Sequence, residues 1–593
     1  MNTATLNKRD FKSGIRDLGL GTSDLAPRIL GLGLRKVPAS IGIALLNLGL
    51  LITPVMMSSP AQGAERIYIS YGPLEFSLPV ASLELYAKEG KIDQELGVYA
   101  NYLDAKQLEQ LRRILVTRVD ATPLAIAQFL YSPQGEIILQ RMSQVIQTKA
   151  RQPGFYAIRA ALIKSAAAPE GLTLLNVVRE FPTYGIRVDS ARGFQIIDQL
   201  SNLIRQTGMA IAAVEKQAIA EASVQVAEAS PQLPLQRTSI FSQMPDLRKD
   251  GSLKYSTQSL TLNDIRRRRT FLVDLYLPTR ETGRLLPVIV ISHGLGSDRN
   301  TFAYLAAHLA SYGFAVAVPE HPGSNAQQVQ ALISGLANEV TAPAELIDRP
   351  LDIKFLLDEL GRSFGGQLNL QQVGVLGQSF GGYTALALIG AKINFEQLRK
   401  DCDPSNDSLN LSLLLQCRAL ALAPVDPQLS DGRVKAAIAI NPIGSTIFGQ
   451  SQVSQIKVPL MLVAGSDDTV APALAEQIQP FTWLKTPNKY LVLLRDATHF
   501  STLAQSSGGI PVPVQAIGPG SDVAQDYMKA LSLAFFENYI ANNPDYRVYL
   551  SASYAQFLSK YPLPLSLVQS LREEQLKQVT GGSTPEPKPS PKP

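Results

Sequence analysis

Residues 373–388 read Val373-Gly374-Val375-Leu376-Gly377-Gln378-Ser379-Phe380-Gly381-Gly382-Tyr383-Thr384-Ala385-Leu386-Ala387-Leu388. A four-residue apolar run of strand type meets a Gly-x-Ser-x-Gly turn, and small and apolar residues of helical type follow. A strand that turns sharply into a helix lifts the serine at the turn above the sheet. A second match, Gly361-Arg362-Ser363-Phe364-Gly365, has the opposite context: a helical segment, 351–360, precedes it and a polar loop, 367–372, follows. At ordinary Gly and Ser frequencies a chain of this length has roughly a 0.2 chance of one accidental match. Context therefore decides: Ser379 is the candidate nucleophile, and Ser363 reads as a helix exit.

Working outward from Ser379, strand-length apolar runs (270–277, 286–291, 314–318, 373–376, 435–440, 459–464, 490–494) alternate with helical segments (302–312, 351–360, 382–389, 524–540). Such alternation predicts an α/β fold with a mostly parallel sheet flanked by helices. Its expected extent is 252–579, with a polar, lid-type insertion at about 392–433 and further helix over 541–579. A four-arginine run, Arg266 to Arg269, reads as a solvated turn between two early strands.

A serine hydroxyl is a poor nucleophile until a base takes its proton, usually His. The chain has four histidines. His308 sits in a predicted helix among Ala and Leu and reads as packing. His499 follows the strand 490–494 through a short turn, which makes it the candidate base. The acid should follow the strand 459–464. Gly465-Ser466-Asp467-Asp468-Thr469-Val470-Ala471-Pro472 is that loop, and its spacing selects Asp468 over Asp467, with Asp496 a weaker rival. The order Ser, Asp, His is that of an α/β-hydrolase. His293 opens His293-Gly294-Leu295-Gly296 after the strand 286–291, where the oxyanion loop of that fold stands. The backbone nitrogens of Leu295 and Phe380 are the candidate oxyanion donors. His293, and His321 in Pro319-Glu320-His321-Pro322-Gly323, are candidates to line the pocket.

These residues carry a resemblance. Val290-Ile291-Ser292-His293-Gly294-Leu295-Gly296-Ser297, Phe314-Ala315-Val316-Ala317-Val318-Pro319-Glu320-His321 and Gly377-Gln378-Ser379-Phe380-Gly381-Gly382, in that order, resemble the platelet-activating-factor acetylhydrolase family. The resemblance spans about 254–540. It implies an α/β-hydrolase fold, oxyanion donors at Leu295 and Phe380, and calcium-independent cleavage of short or oxidised acyl groups from phospholipids. The histidine loop, Ala497-Thr498-His499-Phe500, and the insertion depart from the family's pattern. The stretch 67–91, with Tyr71-Gly72-Pro73-Leu74-Glu75-Phe76, resembles a helical domain of unknown function found in front of exported bacterial α/β-hydrolases. It brings no known chemistry.

Composition narrows the rest. The chain has 593 residues; 45% hydrophobic residues exclude dominant disorder, and 18% charged residues with one apolar run of consequence exclude a polytopic membrane protein. Net charge is +5, yet seven basic residues against three acidic ones stand before Ala64. The remainder is nearly neutral, so nucleic acid is not an expected partner. Residues 1–64, with Arg35-Lys36, an apolar core at 41–55 and the small-residue exit Ala61-Gln62-Gly63-Ala64, read as a signal peptide or N-terminal anchor. The protein is then exported to periplasm or exterior, membrane-anchored if the leader is not cleaved, and peripheral membrane or envelope association is a candidate partner reading. Residues 65–229 read as a separate all-helical domain, 230–251 as a linker, and 580–593 as a disordered Pro-rich tail. Cys402 and Cys417 are a candidate disulfide pair. Two cysteines and four histidines make a metal site unexpected, and no cofactor is implied.

The expected activity is an exported serine hydrolase acting on carboxylic esters, of 1-alkyl-2-acetylglycerophosphocholine esterase type. The alternatives are a cutinase-like polyester hydrolase or general carboxylesterase, and, in another class, an envelope partner-binding module on an idle hydrolase scaffold. The expected partner is a small-molecule or lipid ester substrate.

Overall fold

The computed structural model describes residues 63–71, 74–229, 241–279, 283–403, 408–505 and 512–581. The expectations for a leader at 1–64 and a tail at 580–593 fall outside these residues, apart from two positions at each inner edge.

The region 65–229 departs from the all-helical, separate domain expected of it. The expected helices do form, among them Ala105–Val116, entered through a capping box of Asp104 and Gln107, and Pro123–Leu130, capped by Thr122. But β1 (Arg66–Tyr71), β2 (Leu74–Pro79), β3 (Ile146–Thr148) and β4 (Gly185–Asp189) make a mixed sheet of order β2-β1-β4-β3. These strands are three to six residues long and scattered between helices, so their two-residue period is too brief to stand out.

Nor is the region separate. Its last element, α1 (Ser190–Ala229), runs 40 residues. In its second half Ala210, Ile211, Val214 and Ala218 are buried in the same core as the main sheet. Glu215 pairs with Arg495 at 2.7 Å, and Glu221 accepts from the backbone N–H of Gln569 and Ser570, both at 2.9 Å. Of the expected linker, 241–251 is packed: Phe241 lies against Tyr554 and Phe557, and Leu247 is fully buried.

The main sheet has nine strands: β5 (Tyr255–Asp264), β6 (Arg269–Pro278), β7 (Leu286–Ser292), β8 (Ala315–Pro319), β9 (Leu368–Gln378), β10 (Val434–Ile440), β11 (Leu460–Gly465), β12 (Lys489–Leu494) and β13 (Leu565–Val568). Their order is β13-β12-β11-β10-β9-β7-β8-β6-β5. The six from β8 to β12 pair in parallel, while β5, β6 and β13 are antiparallel to their neighbours. β13 lies in the stretch read as further helix. It is only four residues, Leu-Ser-Leu-Val, which is too short to separate the two periods.

Alternation along each strand feeds two cores. Val288 and Val290 enter one, and Ile289 and Ile291 the other. Helices α2 (Glu345–Ser363) and α3 (Phe380–Leu388) cover the first face, and α4 (Ser521–Tyr539) the second. The chain order reverses at β7 and β9, and ligands of such sheets bind beyond the strands' carboxyl ends at that point.

Candidate active site

Ser379 stands between β9 and α3, as the N-cap of α3, with φ +55° and ψ −115°, a conformation that L-residues adopt only under about 1–3 kcal/mol of strain. Its glycines are required by contact rather than by flexibility. A Cβ on Gly377 would lie 2.0 Å from the carbonyl oxygen of Gly381, and one on Gly381 would lie 2.0 Å from that of Ser292. The turn is held open by the Ser379 N–H donating to Ile440 at 2.9 Å, and the serine keeps 8% of its surface. Ser363, by contrast, is the last residue of α2 and exposed.

Asp468 and His499 meet. The two loops after β11 and β12 bring His499 Nδ1 to 2.7 Å from Asp468 Oδ2. Asn441, just after β10, donates its amide to the same oxygen at 2.7 Å, and the N–H groups of Val470 and Ala471 donate to Oδ1 at 2.8 and 2.7 Å. Four donors hold the carboxylate in one orientation. Asp467 instead accepts from its neighbour Ser466 and is exposed, and Asp496 is exposed with φ +62°. The Gln378 side chain joins the two halves: its amide donates to the carbonyl of His499 at 3.0 Å, setting the histidine loop against the serine turn.

The loop after β7 carries Leu295. Among the described residues neither the N–H of Leu295 nor that of Phe380 has an acceptor, whereas the neighbouring Gly296 N–H is committed to Ser324. Phe380 is the first residue of α3, where N–H groups have no partner inside the helix.

Comparison with known proteins agrees with this layout. Residues 63–189 match the family described as alpha/beta hydrolase of unknown function (DUF1400), and residues 275–349 match platelet-activating factor acetylhydrolase, isoform II. A platelet-activating factor acetylhydrolase of Cavia porcellus is 22% identical over 311 residues, covering 50% of this chain and 67% of that protein. The chain is an α/β-hydrolase similar to the platelet-activating factor acetylhydrolases.

Beneath its candidate oxyanion loop the hydrolase buries a polar network that corrects two expectations. His293 and His321 do not line a pocket: they are 1% and 0% exposed. His293 Nδ1 lies 2.8 Å from the Gly294 carbonyl, and its Nε2 accepts the His321 N–H at 3.1 Å, which puts the ring proton on Nδ1. Burial, with Arg349 nearby, holds His293 well below the ordinary histidine value, and burial does the same to His321.

The arginine run is not simply a solvated turn either. Arg269 pairs with Glu345 and Asp352, both at 2.7 Å, and Arg267 pairs with Asp264, Asp348 and Asp352. The carboxylates on α2 lie about one or two turns apart, on the face that meets this hairpin. Nothing in the arginine run itself signals those partners, because they lie some 80 residues on.

The network holds a Ser-His-Asp chain of hydrogen bonds. Ser292 Oγ lies 3.0 Å from His321 Nε2, and His321 Nδ1 lies 3.1 Å from Asp352 Oδ2. All three side chains are inaccessible, so no substrate reaches them.

The sequence reading also passed over Gln378, Asn441, Arg349 and Glu476. Gln378 stood inside the quoted motif. Glu476 is buried against the insertion, where it accepts from Asn410, Ser412, Gln416 and Ser445 and from the backbone of Gly444. Cys402 and Cys417, which bracket Asn410, Ser412 and Gln416 in that insertion, are bonded. Among the described residues no cluster of three metal-ligating side chains occurs, and no helix is long and apolar enough to cross a membrane.

Proposed function

We propose that the hydrolase cleaves carboxylic esters of lipids through a serine acyl-enzyme. Ser379 Oγ attacks the ester carbonyl while His499 Nε2 takes its proton. Asp468 fixes the imidazole with its Nδ1 protonated and stabilises the imidazolium that forms. The N–H groups of Leu295 and Phe380 receive the charge that develops on the carbonyl oxygen. His499 returns the proton to the departing alcohol. It then activates a water that releases the acyl group from Ser379.

The observation that carries this reading is the 2.7 Å contact of His499 with a carboxylate already held by three other donors, in loops tied through Gln378 to a strained serine turn. The relative named for its action on platelet-activating factor supports a lipid ester, with a short or oxidised acyl group as the finer expectation. The leader read at 1–64 makes the enzyme an exported one in this proposal.

The test is a panel of p-nitrophenyl esters from acetate to palmitate, with 1-alkyl-2-acetylglycerophosphocholine beside it, in the presence of a calcium chelator. Turnover of the lipid that persists without calcium is the expected result. Turnover confined to water-soluble esters would favour the general carboxylesterase instead.

A further inference from the structure

The first half of α1 carries an apolar face that nothing in the fold covers. Ile196, Leu200, Leu203 and Ile204 recur at helical spacing, yet Leu200 is 45% and Ile204 63% exposed. The same helix is buried further along, from Ala210 to Ala222. The uncovered face is one wall of a mainly apolar chamber of about 700 Å³. Leu409 and Leu411 of the insertion form another wall, and the loop Ser466–Thr469, including Asp468, forms its end. Chambers of this size and character hold small-molecule ligands, and contiguous exposed apolar surface marks binding grooves.

Two further features fit a lipid chain. Gly208 lies inside α1 and lines the chamber, and a Cβ built there would meet no atom within 4 Å. Glycine in a helix interior is unfavourable. Here no packing contact calls for it, and what it leaves is space. A second chamber of about 830 Å³ adjoins the first, sharing Leu203, Leu409 and Pro472, and has a mixed lining in which Gln397, Lys400 and Asn410 stand beside Leu413 and Trp483. An apolar compartment beside a more polar one suits an amphiphile.

Resting on the serine-esterase reading, we infer that the chamber under α1 binds one long hydrocarbon chain of the substrate, so that the N-terminal region supplies part of the lipid site. The chain belongs either to the acyl group or to the alcohol. Two substrate pairs separate these sources: p-nitrophenyl palmitate against acetate, and hexadecyl acetate against ethyl acetate.

The variant Gly208→Phe fills the space while replacing a residue poorly suited to a helix interior. Ile219→Ala, exposed on α1 and lining neither chamber, is the control. Gly208→Phe is expected to lower the long-to-short ratio of kcat/KM at least tenfold in one pair, which identifies the side that carries the chain, and Ile219→Ala to leave both ratios unchanged. Unchanged ratios for Gly208→Phe in both pairs would overturn the inference.

Binding of cis-parinaric acid to Ser379→Ala, read by fluorescence, tests the chamber even if no ester is turned over and the esterase reading fails. Saturable binding weakened at least tenfold by adding Gly208→Phe supports it. Binding that is absent, or indifferent to Gly208→Phe, overturns it.

Discussion

The guanidinium of Arg349 donates to the carbonyl oxygen of His293 at 2.5 Å. The same group lies over the Phe380 ring, 4.4 Å from its centroid. One fully buried side chain therefore braces the start of the loop that carries Leu295 and the residue that opens α3. Burial pushes Arg349 down to about 9, with Glu345 and Asp352 pulling the other way, so it is charged at neutral pH. Arg349→Met should release both supports. Loss of one oxyanion donor costs roughly 10²–10³ in kcat, and a fall of about 10² is expected with KM changed much less. Steady-state kinetics of p-nitrophenyl butyrate hydrolysis measure it. An unchanged kcat in a folded variant would remove Arg349 from this role.

Asp468 and Asp467 are neighbours in sequence with opposite surroundings. Asp468→Asn leaves the shape but favours the wrong imidazole tautomer, and about a 10⁴-fold fall in kcat is expected from comparable triads. Asp467→Asn should change the rate little. Asn441→Ala, which removes one of the four donors to Asp468, should fall between them. Equal effects of Asp468→Asn and Asp467→Asn would contradict the geometry.

Stability should fall on the acid side of neutrality. His293 and His321 are held neutral by burial, so below about 6.5, the ordinary histidine value, the unfolded chain binds protons that the folded one refuses. Each contributes a loss approaching 1.4 kcal/mol per pH unit until its depressed native value is reached. Buried Glu345 and Asp352 are raised by burial and act in the opposite sense at lower pH. The variant His321→Asn isolates the histidine contribution. Urea midpoints between pH 7.5 and 5 should drop less steeply in the variant than in the wild type, and identical slopes would sink the assignment.

Much of this was legible in the sequence, and the reasons are local. The serine turn, the oxyanion loop and the acid and histidine loops each follow a strand whose apolar run is long enough to read. Their chain order matches the fold's. What was not legible is long-range pairing. Arg267 and Arg269 look like surface charges until α2 is packed beside them, and His321 looks like a pocket residue until Asp352 and Ser292 close around it. The four-stranded N-terminal sheet escaped because its strands are brief.

Glu476 fastens the insertion to the sheet's upper loops. Glu476→Ala leaves several buried donors without an acceptor, and a loss of about 3 kcal/mol or more is expected, since hydrogen bonds to charged groups are worth about 1.5–3 kcal/mol each. Guanidinium denaturation followed by tryptophan fluorescence suits this, because the single tryptophan, Trp483, lies in the same quarter of the molecule. A shift under about 1 kcal/mol would mean that water replaces the carboxylate.

The hydrolase carries a sealed Ser-His-Asp chain at Ser292 and, in the proposed mechanism, a catalytic triad that opens at Ser379. Rates of p-nitrophenyl butyrate hydrolysis by Ser379→Ala and Ser292→Ala, side by side with the wild type, test the central claim most directly. Ser379→Ala should lose a factor of about 10⁴–10⁶ in kcat, whereas Ser292→Ala should stay within about tenfold of wild type and lose about 1–2 kcal/mol of stability. The reverse pattern, with Ser379→Ala active and Ser292→Ala dead but folded, would contradict the account.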